Sequence, residues 1–579
     1  MTMLSSAPGS TVDLPREGHA ADDTVLREAG ELPVAVQQHS GAVARESMLL
    51  SPRFLILAAL GFGVVLRLLQ YAVNRSLWLD EALVLPSIIG RPLAELLNPG
   101  TWGALPPGFL FLSRLSTIVL GSSEYALRLV PLLAGLASMF LFLAVARRYV
   151  SAHALPLAMV LFALSPFLIY YASDVKQYSS DAAVTLLLLL VAFELRARGI
   201  TAKRAVAWCL IGLAAAGMSM TALFVLIGVT GAMLVESIWR RDRRSAVALA
   251  AVVGAWALAF GVPYLLFVQG AGRNEYLQAF WISGFMPFPP QSLSDLSWFP
   301  STFARLFRDP LGVFDDAAIA RGYYQSAAGM LVFTAGVVWM VLRRRALLLM
   351  LLAPVAVTLV ASGMRLYPFG GTGVTEGRVL LFLVPVFLLV MAEGAMQLHR
   401  RLGGRLKVVS IAVIALLILP PLAQALIAIP YGRIEIKPVL GYVQENWQPG
   451  DVMYVHYEVQ HEFAYYAPRY DFQAGDFVIG PCARFEPTRY LDALSTHLGQ
   501  PRLWVLFGSG VGPHEAYERR LMLDFLDHFG TRVDDQVALG SAVYLYDLRP
   551  TGEVKPNFTF RPLGFGYVRE AGCAIWGGD

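Results

Sequence analysis

"AVAWCLIGLAAAGMSMTALFVLIGVTGAMLV", residues 205–235, runs without a single charge. A membrane helix needs about 20 apolar residues, so this run is either one strongly tilted helix or two short ones. The choice decides the topology of everything around it. A second stretch, "LPPGFLFLSRLSTIVLG" at 105–121, poses a related question: it is a span, or a helix lying in the membrane interface. Lysine and arginine placement decides both, because these residues accumulate in cytoplasmic loops. Basic clusters stand at Arg147–Arg148, at Arg196, Arg198, Lys203 and Arg204, at "RRDRR" 240–244, at "RRR" 343–345 and at "HRRLGGRLK" 399–407. With 205–239 split in two and 105–121 counted as interfacial, all of them fall on the side of the N-terminus. Either change made alone scatters them. Arg114, midway through 105–121, also suits an interfacial helix better than a span.

The composition agrees with a polytopic α-helical membrane protein. Of the 579 residues, 56% are hydrophobic and 15% charged, against about 25% charged in soluble proteins. Eleven spans are expected, at Phe54–Val73, Tyr125–Ala146, Ala154–Tyr171, Ala182–Leu195, Ala205–Met218, Ala222–Trp239, Ala246–Val268, Ser326–Leu342, Ala346–Ala361, Val379–Leu398 and Val408–Ile429. This places the N-terminus inside and the C-terminus outside. The external segments are then 74–124, 172–181, 269–325 and 362–378. Residues 1–50 are polar, lack the basic-then-apolar pattern of a signal peptide and read as a disordered cytoplasmic tail. No basic patch interleaved with aromatics points to nucleic acid.

From about residue 431 to 579 the chain reads as a soluble, external α/β domain, and that length suffices for a domain of its own. "DVMYVHYEV" and "PRLWVLFGSG" are expected as buried strands. "EAYERRLMLDFLDHFG" has the apolar period of an amphipathic helix ending at Gly530, and "QVALGSAVYLYDL" reads as a strand pair around Gly540–Ser541. His456, Glu458, His461 and Glu462 cluster in "VHYEVQHEF", where His461 reads as a surface histidine. Cys209 lies in an apolar segment. Cys482 and Cys573 could pair in an oxidising compartment, and the sequence leaves that open.

The chemistry is sought among polar groups at the external ends of spans. "RSLWLDEALVLP", 75–86, holds Asp80 and Glu81 between Trp78 and a run of apolar residues. Carboxylates held against the membrane surface lose water, which shifts their pKa and makes them candidate bases or cation ligands. "YYASDVKQYSSDAA", 170–183, offers Asp174, Lys176, Gln177, Tyr178 and Asp181. If that stretch is helical, Asp174, Tyr178 and Asp181 share a face. Lys176 opposes the inside bias of the other basic residues, which hints at a bound anion. "MRLYPFGGTGVTEGR", 364–378, is rich in glycine and carries Arg365, Tyr367 and Arg378. Arginine suits phosphate because its planar fork donates two hydrogen bonds at once. Arg128 opens a span, where it is expected to snorkel towards headgroups. The set suits a reaction needing a base and a site for an anionic phosphate. There is no Walker loop, no HExxH and no CxxC, so neither a nucleotide-driven reaction nor a zinc site has support.

In this order, "WLDEA", "PPGFLFL", "SEYALRLVPLLAGL" and "DVKQYSSDAAVTLLLLL" resemble the GT-C membrane glycosyltransferases. The family-39-like enzymes related to protein mannosyltransferases are the nearer branch, and the lipid A aminoarabinose transferases the more distant one. The resemblance covers roughly residues 50–430. It implies a GT-C-like membrane domain, a polyprenyl-phosphate sugar donor, an acceptor not yet named (protein, lipid or glycan), and transfer on the external face of a bacterial inner membrane. It makes Asp80 the catalytic carboxylate with Glu81 beside it. It gives the donor phosphate to Lys176 and Arg378, and the pocket to Trp78, Asp174, Gln177, Tyr178, Tyr367 and Arg128. No cofactor or metal is implied. Relatives often carry a histidine before the paired prolines; here the residues are Ala104-Leu105-Pro106-Pro107, so that residue's role cannot be carried over. The competing reading from another class is a transporter or flippase of a lipid-linked or anionic substrate. Such proteins place ionisable groups near the bilayer midplane, often in repeated halves, and neither feature is evident.

Overall fold

The uncharged run at 205–235 breaks into two helices, Ala202–Met218 and Ala222–Trp239. The link between them is polar. The Ser219 hydroxyl caps the second helix by accepting the amide of Ala222 at 3.2 Å, and it also bonds the Thr221 hydroxyl at 3.0 Å. Each helix rises about 26 Å, close to the thickness of a hydrocarbon core. These facts come from a computed structural model, which describes residues 51–97, 105–261, 275–312, 323–371, 376–484, 486–508 and 513–550.

The other expected spans fall on helices at Pro52–Ala72, Glu124–Tyr149, Tyr178–Arg198, Arg243–Trp256 and Gly404–Ile427. Val379–Leu398 begins as a 3-10 turn and continues as Val384–Arg401. Residues 262–268 of the seventh expected span lie outside the described residues. The continuous helix Tyr323–Gly363 has non-helical backbone at Arg344, so it holds the two spans expected on either side of "RRR". Residues 154–171 form a broken span: Leu155–Leu164 and Pro166–Ser173 meet at 57°. Pro166 has no amide to offer the carbonyl four residues back. Arg67, fully buried, reaches that freed region with bonds to the carbonyls of Phe162 and Ala163, both at 3.5 Å. The stretch at 105–121 forms a helix, Pro107–Leu120. Its rise of about 21 Å is too short to cross a bilayer, as the interfacial reading requires. A Cβ on Gly108 would lie 2.7 Å from the carbonyl of Gly217, so this helix packs on the end of Ala202–Met218.

Two polar layers mark opposite ends of the bundle. In one, Arg148 pairs with Glu194 at 2.7 Å, Arg196 and Arg240 pair with Glu236, and Arg344 reaches the carbonyl of Tyr149. Four of the basic clusters thus share one layer. Arg128 belongs to the other layer. It lies on the same helix as Arg148, and 20 residues of helix separate them by about 30 Å.

The C-terminal region carries five strands: β1 (Val452–Val455), β2 (Phe477–Ile479), β3 (Leu503–Phe507), β4 (Thr531–Ala538) and β5 (Ser541–Asp547). The order is β2-β1-β3-β5-β4, with β1 parallel to β2 and β3, and β5 antiparallel to β3 and β4. The strand pair turns at Gly540, whose φ is +65°, and the expected helix is Pro513–Phe529. The short β2 went unread because three residues carry no period. One apolar core runs through both regions. Leu77, Leu85, Leu105, Phe109 and Val175 pack in one cluster with Val439, Met453, Phe463 and Trp504. The region is therefore built into the loop that follows the first helix.

Candidate active site

The site forms where the loop after the first span meets the turn before Tyr178–Arg198. Trp78 precedes a single helical turn, Leu79–Ala82, whose early positions hold Asp80 and Glu81. Acidic residues are favoured there by the exposed amides of a helix start. The two carboxylates then diverge. Glu81 is fully buried. It accepts both ends of the Arg128 fork, at 2.8 and 2.6 Å, together with Arg75 at 3.1 Å. The amides of Val175 and Trp78 add bonds at 2.9 and 3.3 Å. Burial pushes its carboxyl up, and the two arginines with these hydrogen bonds outweigh that and hold it low.

Asp80 keeps a fifth of its side chain exposed and pairs with Arg378 at 3.2 Å. Burial raises its carboxyl too, but the charges of Arg378, Lys176 and Arg433 win, so it sits below the usual carboxylate range. Lys176 is half-buried. Its amide bonds the carbonyl of Asp174 at 2.6 Å. Burial draws its ammonium down, offset in part by Asp80 and Asp174. Asp174 is fully buried, accepts the Trp78 indole N–H at 2.9 Å and lies 3.8 Å from Arg75. Burial and the neighbouring Glu81 charge push its carboxyl up.

The structure brings most of the expected residues together. Arg378 donates to the Tyr178 hydroxyl and lies over the rings of Trp78 and Trp281, at 5.9 and 5.5 Å. Tyr367 binds the carbonyl of Val379 at 2.7 Å, beside the start of the Arg378 helix. The Gln177 side-chain oxygen is buried without a hydrogen-bond partner.

Other expectations are corrected. Glu81 does not stand beside Asp80 as a second reactive carboxylate, because its oxygens are already engaged by two arginines. Arg128 does not snorkel and does not line an open pocket; it is buried on Glu81 and on the carbonyls of Arg75 and Ser76, at 2.6 and 3.1 Å. Asp174 shares no helical face with Tyr178 and Asp181, because the helix begins only at Tyr178. Asp181 instead bonds Ser219 and Thr221 in the link between two spans. Arg365 is exposed, outside the cluster. In "VHYEVQHEF", His461, read as a surface histidine, is half-buried, and His456 and Glu462 are buried. Gly373 and Cys573 lie outside the described residues; Cys482 is disulfide-bonded and Cys209 is free. Among the described residues no group of three or more His, Cys, Asp or Glu side chains is arranged to hold a metal ion.

Sequence reading missed Arg75 and Arg433. Arg75 lies 4.3 Å from the ring of Tyr170. Arg433 lies 4.1 Å from the Trp78 ring and 5.2 Å from that of Tyr170, and donates to the Tyr171 hydroxyl at 3.0 Å. Both lie in the external segments of the expected topology, the signal that singled out Lys176.

The bundle thus gathers a partly open carboxylate and a set of cations at one end. Residues 104–267 match the family model of dolichyl-phosphate-mannose-protein mannosyltransferases. That is the branch that the sequence motifs resemble. No curated protein sequence matches the chain. Solved structures similar to it include ArnT from Cupriavidus metallidurans in the apo state, at 14% identity and a TM-score of 0.43, covering 84% of this chain and 97% of that one. ArnT bound to undecaprenyl phosphate aligns with 13% identity, a TM-score of 0.45 and the same coverage. The oligosaccharyltransferase AglB from Archaeoglobus fulgidus, with an inhibitory peptide and a dolichol-phosphate, aligns with 12% identity and a TM-score of 0.44, covering 87% of this chain and 75% of that one.

Proposed function

We propose that the protein moves a sugar from a polyprenyl-phosphate-linked donor to an acceptor hydroxyl, with inversion, using Asp80 as general base. The observation that carries this is the pairing of a partly open carboxylate with Arg378, beside Lys176. Asp80 takes the acceptor's proton as the acceptor oxygen bonds the anomeric carbon. The bond from that carbon to the phosphate oxygen breaks, and its electron pair leaves on the phosphate. The donor phosphodiester carries one negative charge and the departing monophosphate two, while Asp80 goes from one to none, so charge balances. Lys176 and Arg378 neutralise the charge that develops. A single displacement inverts the anomeric centre. Tyr178, Tyr367, Gln177 and Asp174 shape the pocket.

The basic layer at the far end of the bundle supports an orientation. That layer is assigned to the cytoplasm of a bacterial inner membrane, with the N-terminus, and the site to the periplasmic face, with the C-terminal region. The disulfide at Cys482 agrees, since such bonds persist in oxidising compartments.

The test is transfer from a panel of polyprenyl-phosphate sugars to cell-envelope fractions by purified wild type and Asp80→Asn. The variant should lose about 100-fold or more in turnover while still unfolding cooperatively as a folded protein. Normal turnover by Asp80→Asn would remove the assignment.

A further inference from the structure

We infer that Arg433, supplied by the chain as it leaves the last span, is a third ligand for the donor's phosphate, joining Lys176 and Arg378; this rests on the donor reading above. Arg433 and Arg378 approach the same indole, at 4.1 and 5.9 Å from the Trp78 ring. Like charges gathered about one ring repel, more so where water is scarce. An anion between them removes the repulsion.

The balance of charge around the site points the same way. Arg128 and Arg75 converge on Glu81. Against Lys176, Arg378 and Arg433 stand Asp80 and Asp174. Asp174 is already shared with Arg75, and burial with the Glu81 charge drives it towards its neutral form. Three cations thus face little more than one negative charge. As the bond breaks, the charge that Asp80 loses appears on the phosphate, whose leaving form carries about −1.5 to −2 at pH 7. Arg433 therefore favours the phosphate as it leaves more than the phosphate as it arrives, the kind of contact that lowers a barrier.

Its aromatic seat suits the role. Trp78 and Tyr170 hold the guanidinium through their rings, and the Tyr171 hydroxyl takes one N–H. These contacts fix the plane of the guanidinium. The consequence is that the donor site is completed by residues beyond the last span, outside the 104–267 segment that matches the mannosyltransferase model.

The experiment measures binding of undecaprenyl phosphate and of undecaprenol to the full-length protein in nanodiscs, between pH 5 and 8. Wild type should prefer the phosphate and gain affinity as the second phosphate proton is lost near pH 6. Arg433→Gln should weaken phosphate binding about 10- to 100-fold, flatten its pH dependence and leave undecaprenol binding unchanged. Arg433→Lys should recover part of the loss. Two results overturn the inference: Arg433→Gln binding the phosphate as wild type does, or losing both lipids equally with a lowered unfolding temperature, which marks a structural role. If wild type fails to distinguish phosphate from alcohol, the donor reading itself falls.

Discussion

At Asp80 the strongest neighbour is also the residue proposed to grip the phosphate. Asp80 must be ionised to accept a proton, and Arg378, Lys176 and Arg433 keep it so against burial. A carboxylate held low loses its charge only when pH falls through that lowered value, so the acid side of the pH–rate profile should lie below the usual carboxylate range. Removing Arg378 lets burial regain weight. In Arg378→Gln the acid limb of kcat/KM for the acceptor should move to higher pH, and the donor KM should rise as well. A limb that stays put or moves down would show that some other group keeps Asp80 charged. The adjacent pair also shows what a sequence hides. Two neighbouring carboxylates in an apolar stretch look equivalent. Only the packing of Arg128, Arg75 and the Val175 amide assigns one to the interior and leaves the other a fifth exposed.

Glu81 works at the scale of elements, tying three of them together. Arg128 comes from the helix Glu124–Tyr149, Val175 from the turn before Tyr178–Arg198, and Arg75 from the start of the loop after the first span. Deleting one partner of a buried ion pair typically costs about 3–5 kcal/mol, because the other charge is left uncompensated. Glu81→Gln should therefore lower the unfolding temperature markedly, as Arg128→Gln should, and by more than Asp80→Asn, whose carboxylate keeps a fifth of its side chain exposed. Calorimetry or tryptophan fluorescence in detergent would check this; equal stability of Glu81→Gln and wild type would argue against the tie. Helices were the legible part of the chain, because apolar length and basic-residue placement carry long, redundant signals. The split at 219–221 and the short helix at 107–120 followed from that bookkeeping alone. Arg128 was misread for a physical reason: an arginine at a helix end snorkels unless a buried carboxylate is brought to it. Glu81 is 47 residues away in sequence, and nothing local announces the pairing.

For the molecule as a whole, the C-terminal region is fastened to the loop after the first span at many points. Glu435 accepts the amide and hydroxyl of Ser76 at 3.1 and 2.9 Å, and the Tyr466 hydroxyl takes the amide of Leu77 at 2.9 Å and bonds Glu124 at 3.0 Å. Tyr465 bonds the carbonyl of Ser122 at 2.7 Å, and Lys437 bonds the carbonyl of Asn74. Sequence reading divided the chain at residue 430 because hydropathy changes there. The packing does not respect that boundary, since the same apolar cluster holds Leu77 and Phe463. Glu462 lies in this seam, one helical turn from Tyr466, on a helix packed against Leu79–Ala82. Its carboxyl is almost fully buried, and one oxygen has no hydrogen-bond partner. Burial, together with the charges of Asp80 and Glu81, raises it to about 8. A carboxyl raised on folding binds its proton more tightly in the native state than in the unfolded one. It therefore destabilises the native state progressively as pH climbs from the ordinary glutamate value towards about 8. Glu462→Gln, which keeps the neutral shape, should remove that slope. Its unfolding temperature should match wild type near pH 4 and exceed it at pH 8. Parallel curves for the two proteins would mean that Glu462 is not protonated in the seam.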